Sequence, residues 1–131
     1  MGVYKIIFMF TSETSTKAGF DAIIKNESFK CAFITHSPAY AFGEVAEMKR
    51  HNETEEVFVL LSGRAVMLIY ENEAFSEYEL SEKTAYNVHA GTWHYLAVSE
   101  DASVFVTEKA NTDSTNSDII RLDIPYELKV R

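Results

Sequence analysis

The sequence predicts an all-β domain, a sandwich, barrel or jelly roll, on three observations. It is rich in Val, Ile, Phe, Tyr and Thr, the residues that pack well on a pleated surface. Its apolar residues fall in many short runs spaced by turn residues. No linker, repeat or low-complexity tract divides its 131 residues, and only Pro38 and Pro125 interrupt it.

The elements follow in chain order. Met1 to Phe10 (MGVYKIIFMF) is apolar but has no basic leader and no small-residue cleavage site, so it reads as a structural segment rather than a signal peptide. Between Ser15 and Asn26, Phe20, Ile23 and Ile24 fall at helical spacing; one or two helical turns or a hairpin both fit. Strands are expected at Phe29 to Thr35 and Ala41 to His51. Glu55 to Leu61 and Ala65 to Tyr70 flank Ser62-Gly63 and read as a hairpin. Because both runs are apolar at consecutive positions, they should be covered on both faces. Further strands are expected at Phe75 to Leu80, Ala85 to Val88, Trp93 to Val98, Ser103 to Glu108 and Ile119 to Ile124. Ala110 to Asp118 is rich in side chains that bond their own backbone, and reads as a loop.

Composition narrows the function. Twelve Lys and Arg against twenty Asp and Glu leave a net charge of −8. That disfavours nucleic acid, whose binding rests on cations that neutralise phosphates, and equally an anionic membrane surface. No apolar run approaches the ~20 residues of a membrane-spanning helix. Cys31 is the only cysteine, so no internal disulfide forms; the expected location is the cytoplasm.

Residues two apart on a strand share a face, so Lys49 and His51 point the same way. If the next turn folds the strands side by side, Glu56 returns beside His51. Gly91 permits a turn into the strand that His94 leads, with Leu96 and Val98 on its face, so His94 points inward. Two imidazoles and a carboxylate on one interior face suit Zn, Fe, Ni or Cu; a polar network without any metal is the alternative. Among the others, His89 reads as a solvated turn histidine, His36 as a strand end, and Trp93 and Tyr95 as facing away from the site. Glu55 is a fallback ligand if the register slips by one, and Arg50 a surface or interface charge. Tyr40 and Phe42 can close a pocket or simply pack.

These segments resemble the cupin family. Gly43-x5-Lys49-x-His51-x4-Glu56-x6-Gly63 fits the first cupin motif at every defined position except Lys49, where the motif has histidine. The second motif maps onto Lys83, His89, Gly91, His94 and Val98, of which only Gly91 and His94 match. The closer resemblance is to small single-domain, RmlC-like cupins, in Lys49 to Gly63, Tyr86 to His94 and Glu108 to Thr112. It implies a cupin-type double-stranded β-helix, or jelly-roll barrel, often a homodimer. It also implies a divalent transition metal (Zn, Fe, Mn or Ni) on His51, Glu56 and His94, with no organic cofactor. The whole chain, 1–131, is then one domain, with the core barrel at about residues 28–124 and segment 1–27 packing or swapping against it.

Lys49 is the departure. An ammonium about 4 Å from a dication costs on the order of 8 kcal/mol at an effective dielectric near 20. Lys49 therefore swings to the pocket mouth, loses its proton, or replaces the metal by pairing with Glu56. Beside an open metal site it is the catalytic candidate, gripping a substrate carboxylate or stabilising an enolate. The expected functions are a metal-dependent enzyme acting on a small polar metabolite, such as a carbohydrate derivative or organic acid, or a non-catalytic small-anion-binding or scaffold cupin. The expected partners are a small molecule and a second copy of the chain, since apolar residues on both faces of Val57 to Leu61 leave hydrophobic surface outside a barrel.

Overall fold

The computed structural model describes residues 9–131. The expectation for Met1 to Phe10 lies almost wholly outside the described residues; of its two described members, Met9 and Phe10 are both exposed. Among the described residues, ten strands form two five-stranded antiparallel sheets. They are β1 (Gly19–Lys25), β2 (Phe29–Thr35), β3 (Glu44–His51), β4 (Glu56–Ser62), β5 (Ala65–Glu71), β6 (Ala74–Glu79), β7 (Ala85–Val88), β8 (Trp93–Val98), β9 (Ser103–Lys109) and β10 (Ser117–Glu127). The first sheet runs β1-β2-β9-β4-β7 and the second β10-β3-β8-β5-β6.

Turn chemistry sets the connections. The segment holding Phe20, Ile23 and Ile24 is strand β1, not helix. Asn26 Oδ1 accepts from the backbone N–H groups of Ser28 and Phe29 and folds β1 back onto β2. Asn72 and Glu73 both take positive φ, the geometry of a tight turn whose twist matches the flanking strands β5 and β6.

The expected hairpin at Ser62-Gly63 is not one. β4 pairs with β9 and β7 in the first sheet, while β5 pairs with β8 and β6 in the second. The turn carries the chain across the sandwich, so Phe58 and Leu60 face Ala65 and Met67 through the core instead of lying beside them. Burial on both faces falls on one run only. Ala65 to Leu68 are all buried, whereas in β4 buried positions alternate with half-buried ones.

Two apolar clusters result. The inner one, between the sheets, takes Ala32 and Ile34 from β2, Phe58 and Leu60 from β4, Leu96 and Val98 from β8, and Val104 and Val106 from β9. The second lies on the other face of the second sheet, around Val45, Met48, Val66, Leu68 and Ala97, with Leu128 and the half-buried Leu122, Tyr126 and Val130 against it. The strands extend past both expected limits of the barrel: β1 lies before residue 28, and β10 runs beyond residue 124. A register shift between Arg121 and Tyr126 accompanies Pro125, which has no N–H to give the ladder. No helix among the described residues is long and apolar enough to cross a membrane.

Candidate metal centre

Four inward-facing rows end in a polar residue. They are Leu60-Phe58-Glu56 on β4, Val98-Leu96-His94 on β8, Val104-Val106-Glu108 on β9 and Ile34-Ala32-Lys30 on β2. Strand pairing aligns three of these ends: Lys30 is opposite Glu108, and Glu108 opposite Glu56. On the facing sheet Lys49 is opposite His94, the one registered pair between β3 and β8. Directly opposed residues present their side chains on one face. Glu56, His94 and Glu108 therefore line a cavity of about 500 Å3, whose wall also includes Tyr40, Lys49 and His51.

His51, Glu56 and His94 each offer one ligand atom, and these atoms lie within 4.8 Å of one another. Glu56 Oε1 stands 3.3 Å from His51 Nε2 and 3.2 Å from His94 Nε2. Glu56 and His94 are only 6% and 7% exposed. The ring of His94 is fixed from behind. Its Nδ1 is 3.0 Å from the carbonyl of Thr92, an acceptor only, so Nδ1 carries the proton. With Nδ1 so held, Nε2 is the atom that faces Glu56, the orientation a metal-ligating imidazole takes. His51 is held similarly, with Nδ1 2.7 Å from Ser117 Oγ.

The electrostatics are those of charges withdrawn from water. Burial pushes the Glu56 carboxyl up, but hydrogen bonds from His51 and His94 outweigh it and hold the group well below the usual carboxylate range. The hydrogen bond to Glu56 raises the His51 imidazole against the opposing effect of burial. Burial, followed by the charges of Glu56 and Glu108, lifts the Tyr40 phenol to about 12, so it stays a neutral donor.

Lys49 does not take the place of a metal. It is exposed at the cavity wall and makes no ion pair with Glu56 among the described residues. The lysine that does meet a buried carboxylate is Lys30, 3.3 Å from Glu108 Oε1. Glu55 is not in the cluster: it faces out and meets exposed His89 at 2.8 Å. Arg50 pairs with Asp118 and lies 4.4 Å over the Trp93 ring, away from the cavity. Tyr95 donates its hydroxyl to the carbonyl of Ala41 and packs in the second cluster, yet part of it reaches the cavity wall.

Glu108 is a buried carboxylate of the cavity wall that the cupin motifs do not mark. It is 8% exposed, and its Oε2 is buried with no hydrogen-bond partner. The signal was present in Val104-x-Val106-x-Glu108, a carboxylate continuing a core-facing alternation. Lys30-x-Ala32-x-Ile34 carries the matching one.

The fold is that of the RmlC-like cupins. Similar structures include a Streptomyces PAC13 variant with uridine, 13% identical with 93% of each chain aligned and a TM-score of 0.60. The sugar 3,4-ketoisomerase QdtA from Thermoanaerobacterium thermosaccharolyticum, in complex with TDP, is 14% identical at a TM-score of 0.56. That alignment covers 67% of this chain and 64% of the ketoisomerase, so this chain matches just under two thirds of that enzyme's length. A cupin-2 domain protein from Shewanella frigidimarina is 17% identical over 77% of this chain and 85% of its own, with a TM-score of 0.53. No protein-family model and no curated protein sequence matches the chain.

Proposed function

We propose that the cavity is the active site of a metal-dependent enzyme acting on a small polar metabolite, a carbohydrate derivative or organic acid. The convergence of His51, Glu56 and His94 at its inner end carries this reading. The donor set fits a divalent transition metal: two neutral imidazoles and a carboxylate suit Zn, Fe, Mn or Ni. The Thr92 carbonyl and the Ser117 hydroxyl orient the rings as such ligands require. A bound metal would act as a Lewis acid towards a substrate oxygen.

The chain's own residues supply binding and charge. Lys49 is the catalytic cation: its ammonium meets a substrate carboxylate, or the negative charge of an enolate, inside the cavity. Tyr40 offers a phenol that stays protonated across the physiological range. Two proteins of similar fold were solved with TDP and with uridine, which supports a polar small molecule as occupant. Elemental analysis and thermal-shift titration with Zn2+, Fe2+, Mn2+ and Ni2+ test the reading. Stoichiometric metal, or a raised melting temperature with one ion, is expected; neither with any ion overturns it.

A metal-free binding module is the second reading. It is favoured by the hydrogen bonds that satisfy Glu56 from both histidines and by the Lys30–Glu108 pair. For either reading, a second copy of the chain is proposed against the outer face of the first sheet, where half-buried Phe33, Phe105, Val57 and Val59 make an apolar stripe.

A further inference from the structure

The cluster of His51, Glu56 and His94 has a fourth group beside it. Glu108 Oε2 lies 3.9 Å from His51 Nε2. The two carboxylate oxygens are not equivalent. Oε1 is engaged by Lys30, whose ammonium is itself anchored 2.7 Å from the carbonyl of Thr112. Oε2 is buried and has no partner. A buried acceptor left unpaired costs about 1–3 kcal/mol, more when charged, so its retention calls for an occupant.

The distances suit a shared cation. Bonds of about 2.0–2.2 Å hold neighbouring donors about 3 Å apart, and no pair beyond about 4.4 Å. Glu56 Oε1 to the two imidazoles, at 3.2 and 3.3 Å, and Glu108 Oε2 to His51 Nε2, at 3.9 Å, fall within that span; Glu108 stands outside the 4.8 Å cluster of the other three, so its side chain turns further inward to complete a shared set. Charge points the same way. Glu56 and Glu108 face each other across β4 and β9, a cross-strand placement that like charges disfavour. One lysine, reaching only the outer oxygen of one of them, leaves the inner side acidic.

We propose that Glu108 is a fourth protein ligand of the metal, giving a centre of two histidines and two glutamates, with Lys30 as the positioning residue that turns Oε2 inward. This rests on the metal-dependent reading above. Two carboxylates and two neutral imidazoles balance a divalent ion to zero net charge, which lowers the cost of holding it away from water. Lys49, on the opposite wall, is then free for substrate.

The test is calorimetric titration of the chelator-treated full chain with Zn2+ and Mn2+, plus the visible absorption spectrum with Co2+, which reports the donor set. Glu108→Gln should weaken binding by at least about tenfold and alter the Co2+ spectrum, as loss of a group that ligates or orients a metal does. Glu108→Asp keeps the charge but withdraws the oxygen, and should fall between; it also serves if Glu108→Gln unfolds. Glu55→Gln, outside the cluster, should match the wild type. Wild-type metal binding with unchanged affinity and spectrum in the folded Glu108 variants overturns this proposal alone. No binding by the wild type overturns it together with the metal-dependent reading.

Discussion

Glu56 on β4 and Glu108 on β9 stand directly opposite each other in antiparallel register, and both are less than a tenth exposed. Their environments split them. Glu56 receives two imidazoles and is held acidic, while burial and then the charge of Glu56 push Glu108 up to about 7.

The pH dependence of the chelator-treated protein follows from that split. Between the unfolded value of 4.5 and about 7, folded Glu108 keeps a proton that the unfolded chain releases. Stability therefore falls as pH rises through this window. Raised His51 extends the fall upward from 6.5. Glu56, with a lowered value, works in the other sense, and its contribution is lost only as pH drops below 4.5. The wild type should lose on the order of 1–3 kcal/mol between about pH 5 and pH 8 through Glu108, and Glu108→Gln should lose much less. Denaturant melts of both proteins at the two pH values check this; parallel slopes would contradict the assignment.

The two histidines should differ in their structural weight. His94 is buried, bonded at both nitrogens, and edge-on to Phe58 with ring centroids 6.2 Å apart. His94→Ala leaves a void and strips one donor from buried Glu56, so a loss of about 2–4 kcal/mol is expected. His51 is only half-buried, and its Nε2 position is within reach of solvent from the cavity. His51→Ala should cost about half as much. Equal losses in chemical denaturation would show that His51 is more deeply embedded than its position implies.

Lys49 should matter to ligands far more than to folding. It is exposed and unpaired among the described residues, so Lys49→Ala should change stability by less than about 0.5 kcal/mol. Any anion binding or turnover should drop. Lys49→His places an imidazole directly opposite His94 and should raise metal affinity. Calorimetry that finds unchanged affinity and stoichiometry in Lys49→His would remove the idea that the lysine limits the site.

Much of this was legible in the sequence because strands write their facing into a period of two. The alternation His94-Leu96-Val98 turned His94 inward, and the resemblance of Gly43 to Gly63 to the first cupin motif implied that His51 and Glu56 join it, as they do at the cavity. The same rule also marked Glu108 and Lys30, but a charged residue at the end of a strand is easily read as its solvated tip. Pairing was less legible. Val57 to Leu61 and Ala65 to Tyr70 look like neighbours because the link between them is short, and periodicity carries no information on whether a short turn stays within a sheet or crosses to the facing one. Burial on the back of the second sheet depends on Leu128 and Val130, whose contacts lie far away in the chain.

The outer face of the first sheet gives a prediction about assembly. Phe33 and Phe105 meet edge to face with centroids 5.8 Å apart, and Val57, Val59 and half-exposed Leu61 continue the apolar surface along β4. Light scattering at micromolar concentration should give twice the chain mass. Val59→Lys should shift it to the monomer while leaving the far-ultraviolet spectrum unchanged. A monomer mass for the wild type would leave this stripe without a second copy.

Gly63 is the position where the crossing between sheets is most tightly constrained. Its φ of +72° lies in the left-handed region, and a Cβ there would sit 2.5 Å from Ala102 Cα and 2.8 Å from its backbone nitrogen. Neither neighbour is a side chain that can swing aside. Ala102 is itself fixed, its N–H donating to the Ser99 carbonyl at 3.0 Å, and its methyl is buried in the inner core. Gly63→Ala therefore meets about 1–2 kcal/mol of backbone strain and a contact that moves one turn relative to the other. A total loss of at least about 3 kcal/mol is expected. Gly43, also at positive φ but with nothing within 4 Å of a built Cβ, supplies the control: Gly43→Ala should cost only the backbone strain. Equal denaturation midpoints for the two variants would mean that the Gly63 turn can relax away from Ala102, and that the crossing tolerates a side chain.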